Sequence, residues 1–275
     1  MTEDMWVPPS VAAGGEEAIR AYFTLHEGLP EWLAKPVWEW IYEALSLNEY
    51  EYNEPLIAEM GLALRTAIPG YRSSGWLQST GVDPWDVVSF ILRRSWLCDY
   101  PRLDKLLRAG GSVWTVTVLD GGGVALTRRV AEGVQAAAEA AFMDEKAGPD
   151  LAQAWEELYG RDPDPKQAYY LAVKAIEQVA IPEVTANDTK GTLGKVASRL
   201  RQDQKWSIPM TKATPEDTRE LLAKMVGLLP DGHAGRHGAD RHGDVTERDA
   251  EVAVGLAVTL VHWFSRGLVR REESA

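Results

Sequence analysis

Apolar residues recur at three- and four-residue spacing through "EWLAKPVWEWIYEAL" (31–45) and "EPLIAEMGLALRTAI" (54–68). That spacing places them on one face of a helix, so the first 110 residues are predicted to be helical. "DPWDVVSFILRRSW" (83–96) opens with Asp83 as N-cap and Pro84 at the first helical position, where the missing amide hydrogen costs nothing. The period then changes. "VWTVTV" (113–118) and "VALTRRV" (124–130) are β-branched, alternate in period two, and are joined by "LDGGG". Asp-Gly between such runs predicts a hairpin with strands near 113–119 and 123–130. The "DGGG" turn lacks the Lys-Ser/Thr of a phosphate loop.

Helical spacing returns after Val130. The alanine-rich "AEGVQAAAEAAFMDEKAG" is predicted to stop at Gly148-Pro149, and "PDLAQAWEELYG" to be closed by Gly160. "DPDPKQAYYLAVKAIEQVAIPEV" starts with Asp/Pro capping chemistry and is predicted to stop near Pro182. "TLGKVASRLRQ" precedes two helices that begin with Thr-x-x-Asp, Thr214 with Asp217 and Thr246 with Asp249. In that pattern each partner satisfies an orphan amide of the first turn. The last helix is apolar nearly all round, which predicts the central member of a bundle, with Gly255 permitting close helix approach. The fold class is therefore mainly α: an N-terminal helical region (1–110), one β-hairpin (111–130) and a C-terminal helical bundle (131–275).

Composition narrows the function. Eight of the eleven tryptophans fall in the first 114 residues, where large rings serve as core or interface anchors. The single cysteine, Cys98, excludes an internal disulfide and a cysteine zinc site, and fits a cytoplasmic setting. The acidic N-terminus does not read as a signal peptide, and the longest apolar run, 252–264, is too short to span a bilayer. The net charge of −12 argues against a general nucleic-acid coat. A local exception is the stretch from Lys190 to Lys212, where Lys195, Arg199 and Arg201 belong to a set of six basic residues against Asp203 alone. Such a stretch is either a solvated helix face or a surface for RNA.

The densest chemistry is "DGHAGRHGADRHGD" (231–244), with three of the five histidines. Three readings stand open. Arg236 offers a fixed cationic fork for phosphate oxygens, and His242, six residues on, titrates near neutrality and can move a hydroxyl proton. Together they suit RNA cleavage, in which the 2′-hydroxyl attacks the neighbouring phosphate and the arginine stabilises the charge that develops. Alternatively His233, His237 and His242, with Asp240 or Asp244, form a metal-ligand set. The third reading is a solvated polar loop. Outside this loop, Glu177 could orient a histidine or pair with Lys174 at helical spacing. His262 is predicted to be a core or interface residue, and His26 to sit at a helix end.

The stretches "AYYLAVKAIEQVAIPEV", "TLGKVASRL", "RHGADRHG" and "AEVAVGLAVTLVHWFSRGLVRR" resemble the C-terminal domain of abortive-infection-like proteins, a branch of the HEPN superfamily, over residues 149–270. The superfamily signature is an arginine, then Asn, Asp or His, then a histidine four to six residues beyond the arginine. Arg236, His237 and His242 match it. The resemblance implies a helical bundle, homodimerisation, and endoribonuclease activity without metal or other cofactor. It also implies a setting of phage defence or toxin–antitoxin function, with an RNA substrate and an antitoxin or trigger protein as partners. In that reading Arg236, His237 and His242 are catalytic, while Lys195, Arg199, Arg201 and Arg241 bind substrate and Glu177 supports the site. The alternative is a non-catalytic helical module that binds RNA, nucleotide or a partner protein.

Overall fold

The structure is a computed structural model and describes residues 7–68, 70, 75–94, 98–186, 188, 190–229 and 245–271. It is mainly helical, with only small two-stranded antiparallel sheets. The chain forms two compact units, Met1–Val116 and Thr117–Ala275. Among the described residues no helix is long and apolar enough to cross a membrane.

Unit 1 contains α1 (Pro9–Ala12), α2 (Gly15–Tyr22), α3 (Glu31–Ala44), α4 (Glu54–Ala63), α5 (Pro84–Arg94) and α6 (Tyr100–Ala109). Three of these helices share one start signal, an Asp or Asn followed within two residues by proline. Asn53 accepts from the Leu56 amide at 3.1 Å, Asp83 from Trp85 at 2.7 Å and Asp99 from Arg102 at 3.0 Å. Each bond satisfies an amide that the helix cannot. α3 turns Leu33, Val37, Trp40 and Ile41 into the core and packs on α5 and α6. The Trp40 indole donates to the Asp99 carbonyl at 2.7 Å, so the ring is buried without losing its polar partner.

One element of unit 1 departs from the helical expectation. β1 (Ser46–Asn48) and β2 (Glu51–Tyr52) form a short antiparallel hairpin. Asn48 makes the turn by accepting the Tyr50 amide at 2.9 Å, a local bond that competes with helix continuation. His26 also differs. It lies beyond the end of α2, where its amide donates to Gly111 at 2.8 Å and its carbonyl accepts from Val113 at 3.0 Å.

The predicted hairpin is present as β3 (Trp114–Val118) and β4 (Val124–Arg128). Gly121 and Gly122 in its turn adopt φ of 68° and 82°, a left-handed conformation that glycine reaches without steric cost. The division between the units falls within β3.

Unit 2 contains α7 (Glu132–Phe142), α8 (Gly148–Tyr159), α9 (Pro165–Val184), α10 (Leu193–Gln202), α11 (Pro215–Leu228) and α12 (Glu247–Ser265). A third small sheet, also unpredicted, pairs β5 (Trp206–Ser207) with β6 (Arg270–Arg271). α12 packs on α7, α8 and α9, as a central helix should, while α10 packs on α9 and α11. Alanines dominate the shared core, among them Ala141, Ala168, Ala172, Ala175, Ala253 and Ala257.

One boundary and one packing role correct the sequence reading. The alanine-rich helix ends at Phe142, and Gly148-Pro149 opens the next helix instead of closing this one. The turn between them is so tight that a Cβ on Gly148 would lie 2.0 Å from the Phe142 carbonyl oxygen; only glycine fits. α9 ends at Val184, two residues past Pro182, as the expected stop near that proline has it. Gly255 permits no close approach, because it faces open space on the exposed side of α12.

Candidate functional site

Arg236, His237, Arg241 and His242 lie outside the described residues, as do His233, Asp240 and Asp244. What the structure describes is the pair of helices they join. α11 opens at Pro215 and α12 at Glu247, and both predicted capping boxes form. At α12 the Asp249 amide donates to Thr246 Oγ1 at 3.2 Å, and the Thr246 amide donates to Asp249 Oδ2 at 2.9 Å. The hydroxyl and amide of Thr246 hold the Asp249 carboxyl below the usual carboxylate range.

The basic residues of α10 are engaged by neighbours. Lys195 Nζ meets Asp188 Oδ2 at 2.7 Å and donates to the Lys190 carbonyl at 2.7 Å. Arg199 lies 3.8 Å from Asp203, which also receives Arg271 Nε at 3.0 Å. The Arg201 guanidinium lies over Gly227 of α11, 3.2 Å from where a Cβ would stand. The field of this stretch is therefore partly neutralised within the unit. Glu177 is half-buried on α9. Lys174, one turn earlier, bonds to the buried Asp150 of α8 at 2.8 Å, and Gln178 donates to the other oxygen of that carboxylate.

Sequence reasoning missed a groove of about 570 Å³ where the last turns of α7, α9 and α12 meet the α7–α8 turn. Asp144 builds one end of it. Burial pushes its carboxyl up, but the Ala147 amide, the Ser265 hydroxyl and the Lys146 amide outweigh burial and hold it below the usual range. The amide bonds run to Oδ1 at 2.8 Å from Ala147 and 3.0 Å from Lys146, while Ser265 takes Oδ2. Asp144 thus fixes a tight turn and ties it to the end of α12.

His262 lines this groove and is exposed, so of the two expectations, core or interface, the core one fails. The last turn of α12 explains the difference: Val261 and Phe264 point inward and His262 and Ser265 outward. The available signal was Pro182 inside an otherwise helical run, which marks a helix flank with a missing amide hydrogen. Among the described residues, no group of three or more His, Cys, Asp or Glu side chains is placed to hold a metal ion. Comparison with protein-family models, with curated proteins and with solved structures finds no match.

Proposed function

We propose that the chain is a metal-independent endoribonuclease of phage-defence or toxin type, acting as a homodimer with paired sites. His242 removes the 2′-hydroxyl proton, Arg236 stabilises the charge on the attacked phosphate, and His237 assists proton transfer. Lys195, Arg199, Arg201 and Arg241 guide the RNA backbone, with Glu177 in support. The observation that carries this reading is the placement of the arginine–histidine pair in sequence. It immediately precedes α12, which packs on three other helices of a bundle and begins at a fixed, doubly capped turn.

A second reading, a non-catalytic module binding RNA, nucleotide or a partner protein, is favoured by the ion pairs that already occupy Lys195 and Arg199. Purified protein incubated with mixed cellular RNA in EDTA separates the two. The nuclease reading expects fragments with 2′,3′-cyclic phosphate ends, lost in an Arg236→Ala/His242→Ala double variant. Intact RNA from folded dimer, or equal cleavage by the double variant, overturns it in favour of the binding module.

A further inference from the structure

We draw no further inference here: the strongest candidate, the uncharged outward face of α12 around the exposed Val252 and Gly255, is an unpartnered helix face, and nothing in the structure shows what covers it.

Discussion

The two units differ in what lines their helix contacts. Unit 1 buries large rings: Trp40 and Trp76 are each 1% exposed, and Trp85 and Trp114 are also in its core. Unit 2 also buries rings, Trp155 and Phe142 at 1% exposure each, but alanines such as Ala168, Ala172, Ala175, Ala253 and Ala257 line its helix contacts. A ring-filled core depends on volume that must not be removed, whereas an alanine-lined contact depends on volume that must not be added. The difference shows how one chain uses bulk where elements are short and smallness where helices are long.

The sharpest way to break this contrast is Trp40→Ala. It removes a buried ring and one of two donors to the Asp99 carbonyl, which keeps the Leu103 amide at 3.2 Å, and is expected to cost about 3–5 kcal/mol in urea unfolding. A loss below about 1 kcal/mol would mean that the ring is not a support of unit 1. The complementary change, Ala172→Leu, adds volume at a fully buried position of α9 and is expected to cost about 1–3 kcal/mol. A neutral result there would show slack between the helices and erase the contrast.

Acid sharpens it next. The Asp144 carboxyl is held below its usual range, so its stabilisation is present above the ordinary carboxylate pKa and is lost as pH falls through the folded value. Asp144→Asn is expected to lower stability at neutral pH by about 1 kcal/mol and to flatten the acid limb of the stability–pH curve, with unit 1 unaffected.

Alkali gives the smallest effect. Burial, with the charges of Glu251 and Glu247, pushes the Tyr159 hydroxyl up to about 12. The folded state keeps the proton that the unfolded chain releases near 10. This stabilisation is full below that value and disappears as pH rises to about 12. Tyr159 is half-exposed, so solvent reduces the effect. Tyr159→Phe is expected to move the alkaline unfolding midpoint slightly upward; an unchanged midpoint would assign alkaline unfolding to other groups.

Features set by neighbours in sequence were the legible ones. The N-caps at Asp83, Thr214 and Thr246, the 114–128 hairpin and the centrality of α12 all follow from local pattern. Misreadings arose where distant contacts decided. Gly148-Pro149 reads as a stop in isolation, yet the close approach of the Phe142 carbonyl and the amides captured by Asp144 make it a start. Gly255 reads as a packing residue, but the exposed face of α12 leaves it in open space. Of the candidate sites, Lys195 and Arg199 were identified as basic without sight of Asp188 and Asp203. The groove was invisible because its lining comes from three stretches far apart in the chain, 140–146, 178–183 and 261–266.

The bond from Ser265 to Asp144 spans 121 positions of the chain, which gives it a kinetic meaning. The amides of Lys146 and Ala147 reach the same carboxylate from two and three residues away, so that half of the knot closes as soon as the turn forms. The Ser265 half must wait for α12 to dock, because long-range closure is entropically slow. Ser265→Ala should therefore accelerate unfolding while leaving the refolding rate nearly unchanged. In this bundle Asp144 acts as a timing mark, recording with one oxygen the earliest turn and with the other the arrival of the last helix.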